Sequence, residues 1–398
     1  KEKGWFSFIL KSGRINSLLF DEDIANLEDF YKSKGFWRVR IGSPKRIPRS
    51  GGGIDLVIPV AEGPRYIVNA ITFPDIKVFK KEELMPALSL IGNMPYSSKK
   101  MRDDIRMVRS YYGSRGYADV SVIPDVRELE DAKVDILYRI TTGTRKRVGR
   151  VNIQGNTKSQ DRVIRREVPM RPGEFYNSVD LETTKRRLKN LGYFQDVQVT
   201  GAASAQDGYR DVNILVQEQR TGTINFGLGF SSIDSILGRI NLEQSNFDIT
   251  NWGRFTGAGQ RFSVNLQVGS QRTDFRVSLV EPWFLGQKLS LGTDLYYRDL
   301  IFLSPEYDQT NVGASVFLRK PVGRRSYVKG EYRVETIEIK AESDTTQAFK
   351  DEEDKYLRSA LSLNYVYDSR DSNQQPRSGH KVDLGLIYAG GLLAGDVD

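Results

Sequence analysis

Gln219-Arg220-Thr221-Gly222-Thr223-Ile224-Asn225-Phe226-Gly227-Leu228-Gly229-Phe230-Ser231-Ser232 is the stretch on which the reading of this 398-residue chain turns. From Ile224 the alternation is strict. Ile224, Phe226, Leu228 and Phe230 take one face; Asn225, Gly227, Gly229 and Ser231 take the other. A strand sends successive side chains to opposite faces, so this is a ribbon with one apolar side and one small, polar side. Before it, helical and strand periods are mixed. After it the two-residue period keeps returning and no helical period does. The stretch therefore divides two solvent environments, and the second reads as lipid.

Eight further two-faced segments follow. Phe262, Val264, Leu266 and Val268 alternate with Arg261, Ser263, Asn265 and Gln267, and Phe275, Val277 and Leu279 with Asp274, Arg276 and Ser278. The pattern recurs at Leu289–Leu295, Val312–Leu318, Leu357–Tyr367 and Val382–Tyr388, with strands also near Ile236–Phe247 and Tyr327–Thr336. Tight turns such as Gly269-Ser270-Gln271-Arg272 and Pro321-Val322-Gly323-Arg324-Arg325 suit up-and-down hairpins. The polar faces carry Arg, Asp, Asn, Gln and Glu, too polar for a sandwich core but suited to a water-filled lumen. Aromatics near strand ends (Trp252, Trp283, Phe284, Tyr296, Tyr297, Tyr365, Tyr367) suit interfacial girdles. In hydrocarbon an open sheet edge leaves backbone groups unpaired, so such a ribbon must close into a barrel. Nine strands do not close a bacterial barrel of even strand number, so further strands are expected beyond Asp398.

Upstream, three segments end alike: Ile54–Ile58 runs to Gly63, Val134–Tyr138 to Gly143, and Val212–Val216 to Gly222. Each follows a helix with a Gly-aromatic ending, at Leu27–Phe36, Ile105–Tyr117 and Thr184–Tyr193, and a strand beginning Val39-Arg40-Ile41, Val120-Ser121-Val122 or Val197-Gln198-Val199. Glycine after the last turn takes the left-handed cap that a β-carbon resists. The two complete copies open with Tyr66–Ile71 and Val148–Ile153, and a first helix is predicted at Lys81–Leu90 and Ser159–Val168. Each copy reads β-α-α-β-β over roughly 80 residues, a domain-sized unit. The expected organisation is a partial module at 1–63, whole modules at 64–143 and 144–222, and barrel strands from 223 to 398. Lys1 falls inside the first module, so an upstream piece is expected too.

Composition narrows the function. The chain is 39% hydrophobic with a mean hydropathy of −0.46, and no apolar run approaches the ~18 residues of a membrane-spanning helix. That leaves barrels untouched, because a barrel strand is only half apolar. There is no cysteine and one histidine, His380, which excludes disulfides, thiolate chemistry and two-His metal sites. No nucleotide-binding loop follows a strand and no carboxylate pair stands out, so neither enzyme nor cofactor is expected. Gly51-Gly52-Gly53 reads as a flexible turn. Between Thr144 and Asn190 thirteen Lys/Arg face five Asp/Glu, a surplus equal to the whole chain's +8. A solvated helix face accounts for this as well as lipid phosphates or an acidic partner do; nucleic acid is not expected, since no recognition motif accompanies the charge.

The repeated module resembles the POTRA domain over about the first 220 residues. Asn225-Phe226-Gly227-Leu228-Gly229-Phe230-Ser231 resembles the first barrel strand of the BamA-like family of outer-membrane insertases. Gln244-Ser245-Asn246-Phe247 resembles the family's second-strand ending, although Gly257-Ala258-Gly259 comes late, after the extra stretch Asp248–Thr256. Glu281-Pro282-Trp283-Phe284-Leu285-Gly286 is similar to its turn after the fourth strand. Asp368-Ser369-Arg370-Asp371 with Pro376 and Gly379 resembles the turn after the eighth. The family's lumen-inserted Arg-Gly-aromatic loop does not occur here.

The resemblance implies α+β POTRA modules in the periplasm followed by an antiparallel transmembrane β-barrel in the bacterial outer membrane. It implies a non-enzymatic insertase whose partners are unfolded outer-membrane proteins, accessory lipoprotein subunits and outer-membrane lipid. Substrate strands would add to the module edges at Val120, Ser121 and Val122 or Val197, Gln198 and Val199. Ile224–Ser231 would be a lateral gate, weakened by Gly227 and Gly229. Arg145, Lys146 and Arg147 would meet an acidic subunit or lipid phosphates. The first module would be the third of five. TamA-like and two-partner-secretion transporters share modules and barrel, and a passive porin with periplasmic domains is the rival from another class.

Overall fold

A computed structural model of the chain describes residues 17–48, 54–74, 76–231, 235–301, 306–342, 345–351, 353–372 and 375–396. Both ends of the chain and the Gly51–Gly53 turn lie outside the described residues. The chain divides into two compact units, residues 1–152 with 169–183 and 199–213, and residues 153–168 with 184–198 and 214–398.

The first described element is α1 (Ser17–Ser33), ending towards Gly35 at φ 109°. β1 (Arg40–Ile41) and β2 (Lys45–Pro48) then run antiparallel to a return strand that Pro59 cuts in two, β3 (Ile54–Val57) and β4 (Val60–Ala61). The Gly42 amide donates to the Pro59 carbonyl at 2.8 Å. The single strand expected at 54–58 is therefore shorter and is followed by a break.

The second module is a three-stranded sheet, β5 (Ile67–Thr72), β6 (Ser121–Leu129) and β7 (Lys133–Thr141), in the order β5-β7-β6. β5 runs parallel and β6 antiparallel to the central β7. The first helix is one turn, α2 (Lys81–Leu84), followed by a 3₁₀ turn at Met85–Ala87. Pro86 lacks the N–H that a longer helix would need, which is why the expected span to Leu90 fails. The second helix, α3 (Ser98–Gly113), starts earlier than its apolar period suggests because Ser97 caps it, accepting from the Lys100 amide at 3.4 Å. Gly116 closes it at φ 99°. Val68, Val108, Tyr112, Val134, Ile136 and Tyr138 form a fully buried core between α3 and the sheet.

The third module repeats the plan with β8 (Arg147–Gln154), α4 (Asp161–Arg165), α5 (Ser178–Asn190), β9 (Phe194–Ala203) and β10 (Tyr209–Glu218), in the order β8-β10-β9. Gly192 ends α5 at φ 72°.

Nine strands make one antiparallel sheet in chain order: β11 (Gly222–Ser231), β12 (Ser235–Phe247), β13 (Gln260–Gly269), β14 (Arg272–Glu281), β15 (Ser290–Leu300), β16 (Tyr307–Pro321), β17 (Ser326–Ala341), β18 (Lys355–Asp368) and β19 (Lys381–Ala389). The chain is thus a series of small α+β modules followed by a large antiparallel sheet. Its polarity is inverted relative to a water-soluble protein. Leu295, Val312, Val316, Leu361 and Leu363 are all exposed on one face. On the other, Glu335 is buried, accepting from the Tyr296 hydroxyl at 2.7 Å and from Arg358 at 3.3 Å. Glu331 is buried between Lys329 and Arg333. A buried carboxylate is tolerable only with such partners. Tyr296 is consequently not the girdle residue expected from sequence: it packs on the polar face, while its neighbour Tyr297 takes the apolar one. Among the described residues no helix is long and apolar enough to cross a membrane.

Candidate functional site

The Ile224–Ser231 stretch lies within β11, at one edge of the nine-stranded sheet, paired with β12 from Gly222↔Gln244 to Ser231↔Ser235. Phe226, Leu228 and Phe230 are 76%, 87% and 87% exposed, the most uncovered aliphatic and aromatic run in the sheet. On the polar face a β-carbon at Gly227 would meet only the Arg239 β-carbon at 3.9 Å, and one at Gly229 would meet nothing within 4 Å. Gly313 in β16 is different, since a β-carbon there would stand 2.5 Å from the Tyr296 hydroxyl. Packing demands glycine at 313, whereas β12 does not demand it at 227 or 229, where its effect is on backbone freedom and on the missing contact with β12.

The module edges differ in availability. The outer side of β5 is already taken: the Val68 amide donates to Met94 O and the Asn93 amide to Val68 O, both at 2.8 Å. β8 is covered likewise by Gly173 and Glu174 through Val148. β6 and β9 are the opposite edges, and their outer sides have no backbone partner among the described residues. Pro124 in β6 pairs with Tyr138 and has no N–H to give. Proline sits in an edge strand where its nitrogen faces away from the neighbour, so alternate residues including Val122 turn their amides to the open side. Val120 lies before the strand, its amide turned to Tyr117 O at 3.4 Å, and so leaves the set of strand-addition positions. Val197, Gln198 and Val199 all lie in β9.

Arg145, Lys146 and Arg147 are engaged within the fold. The guanidinium groups of Arg145 and Arg147 lie 3.5 and 4.4 Å from the Phe175 ring centroid, and they donate to Arg115 O and Gly173 O at 2.8 and 2.7 Å. Lys146 lies 3.7 Å from Asp207. Their charge is available to a partner only alongside these contacts.

A further cluster lies where β10 passes into β11, all of it in the second unit. The Glu218 carboxylate accepts from the Thr157 hydroxyl at 2.9 Å and from the Lys158 and Ser159 amides at 2.8 and 2.6 Å. Burial works to raise its pKa, but these bonds outweigh it and hold the group below the usual carboxylate range. Asn246 at the end of β12 donates to the Ser159 hydroxyl and accepts from the Gly259 amide, both at 2.9 Å. Asp248 accepts from Gln160 at 2.7 Å. A β-carbon at Gly257 would stand 2.3 Å from Lys158 O, so only glycine permits that approach. The extra stretch 248–256 is thus fastened against the 158–160 segment. Its length is legible in the sequence; its contacts are not.

The Omp85 superfamily domain matches residues 254–398, and the POTRA family, described as a surface antigen variable number repeat, matches 66–143 and 146–219. The outer membrane protein assembly factor BamA of Nitratidesulfovibrio vulgaris is 25% identical over all of this chain and half of its own length. BamA of Neisseria meningitidis serogroup B is 25% identical over 81% of this chain and 40% of its own. The chain spans about half the length of the curated relatives it matches. The crystal structure of BamA from Haemophilus ducreyi lacking POTRA domains 1–3 superposes with a TM-score of 0.67 at 21% identity, over 81% of this chain and 64% of that one.

Proposed function

Since the chain is a BamA-type member of the Omp85 superfamily, we propose that it works as the module-and-barrel portion of an outer-membrane protein assembly factor. The modules stand in the periplasm, the sheet forms wall of an outer-membrane barrel, and the cargo is unfolded outer-membrane protein. Accessory lipoprotein subunits and outer-membrane lipid complete its surroundings. No covalent step is required. An incoming strand gains main-chain hydrogen bonds from a free edge, and these are indifferent to its side chains. The edges of β6 and β9 suit this in the modules, and β11 in the membrane.

The observation that carries the reading is that β11, the first strand of the sheet, places Gly227 and Gly229 on one face where its partner strand β12 does not require them. Such a strand specifies register weakly and can separate and template another.

A photo-crosslinking residue placed at Asn225 of β11 tests it. During insertion into vesicles, unfolded barrel substrate should be captured at Asn225 far more than by the same probe at Asn265, which is also on the polar face but in the interior strand β13. Equal capture at both positions would point to passage through a lumen and reject templating at β11.

A further inference from the structure

The β12–β13 connection presents an apolar tip that the modules and the sheet leave uncovered. Trp252 is 81% exposed, with Ile249 and Phe255 exposed beside it. These side chains join the apolar face of the sheet through a run of rings. Phe262, on that face in β13, lies 4.8 Å from Phe247 between centroids; Phe247 stacks on Phe255 at 5.8 Å; and Phe255 lies 6.1 Å from Trp252. An exposed tryptophan at the end of such a ladder sits where acyl chains give way to headgroups.

Beside the tip is a cavity of about 490 Å³. Lys158, Arg220 and Arg254 border it, all exposed and without an anionic partner among the described residues. The acid that lines it, Glu218, is committed to the 157–159 segment. Gly222 and Gln244 form its wall on the side of the apolar face, in register with Ile224 and Leu242 above them. The cavity thus combines a net positive charge, three cations against the one carboxylate of Glu218, with direct continuity to the surface that meets acyl chains.

We infer that the 248–256 stretch is a membrane-interface anchor and that the Lys158–Arg220–Arg254 cavity seats the phosphate of an anionic phospholipid. Trp252 holds the glycerol depth, and the acyl chains run up along Phe262 and β11. The inference rests on the reading of the sheet as a membrane barrel wall. Its consequence is local. A lipid held there touches both the last module's 158–160 segment and the first hairpin, so lipid charge bears on the strand proposed to open.

The full-length protein is reconstituted into vesicles of phosphatidylcholine alone or mixed with phosphatidylglycerol, re-extracted, and assayed for retained lipid. Wild type should retain phosphatidylglycerol preferentially, less so in high salt. The triple variant Lys158→Gln, Arg220→Gln, Arg254→Gln should lose that preference by about fivefold or more, since one basic residue near an anionic surface is worth about fivefold in affinity. Brominated phospholipids should quench wild-type fluorescence more than that of Trp252→Phe. Inserted protein that shows no phosphatidylglycerol preference, a triple variant with unchanged retention, or Trp252 untouched by brominated lipid would each overturn the anchor while leaving the barrel reading intact. Protein that enters neither kind of vesicle would overturn the barrel reading and the anchor together.

Discussion

Ile123 in β6 and Leu363 in β18 are both strand aliphatics, 60% and 52% exposed, yet they stand in opposite kinds of protein. In the second module the apolar residues that matter are inside: Tyr112, Tyr138 and Ile136 have no accessible surface, and Ile123 is a lone apolar side chain of the sort any soluble surface carries. In the nine-stranded sheet the relation is reversed. Leu363 belongs to a continuous exposed band, while Glu331 and Glu335 are buried against arginine, lysine and tyrosine on the other face. The same two-residue period therefore has two meanings. Which face is buried is settled by whether the polar face can satisfy itself with ion pairs and hydrogen bonds, and in this sheet it does.

Introducing the same charge at both sites breaks the comparison if it is wrong. In protein folded into vesicles, Leu363→Arg should cost about 2–4 kcal/mol if it lies near the bilayer midplane. Ile123→Arg should stay within about 0.5 kcal/mol, as solvent-exposed substitutions do. Urea titrations of the reconstituted protein measure both. Equal, small costs would mean that the band around Leu363 meets water.

The second test sharpens the module side. Asp104 on α3 is buried and accepts from the Ser89 and Leu90 amides at 2.6 and 3.2 Å and from the Tyr138 hydroxyl at 3.3 Å. Asp104→Leu strands those donors and should cost about 1–3 kcal/mol. Burial raises the Asp104 pKa above its ordinary value in spite of the three bonds. A carboxyl whose folded pKa is raised contributes stability that is fully present below the unfolded pKa and lost as pH rises through the folded one. The stability gap between wild type and Asp104→Leu should therefore widen as pH falls from neutral towards about 4. A gap that narrows on acidification would show that the hydrogen bonds, not burial, control this group.

How far the sequence told these things apart depends on their range. The alternation from Ile224 onward placed the strands of the sheet because register with a neighbour is a local, periodic property. Tyr296 and Tyr297 share an aromatic character that suits a girdle, yet adjacent strand positions must face opposite ways. Pro86 and Ser97 were present in the sequence as a helix breaker and a cap, and they explain the helix bounds that apolar period alone missed. The fastening of Asn246 and Asp248 to Ser159 and Gln160 joins residues 87 and 88 positions apart through unpatterned polar contacts, and nothing periodic announces it. Arg145 and Arg147 read as free charge because a stack on Phe175 leaves no trace in composition.

The smallest expected effect sits at the boundary between the two regions. In β11 the polar face has room for a β-carbon at Gly229, and at Gly227 the nearest atom is at 3.9 Å. Neither residue has a positive φ, so alanine fits both the backbone and the space. Alanine also narrows the unfolded ensemble, and each replacement should stabilise the strand by about 0.4–1 kcal/mol. If β11 separates from its neighbour as part of the working cycle, the same gain opposes opening. Gly227→Ala/Gly229→Ala should then raise protection of the Thr223 and Asn225 amides in hydrogen exchange and slow substrate insertion by a factor of a few, while Gly330→Ala, equally unhindered in the interior strand β17, leaves the rate unchanged. Faster or unaltered insertion by a double variant with measurably stiffened β11 would remove strand opening from the rate-determining events. The glycines would then be a matter of folding rather than of function.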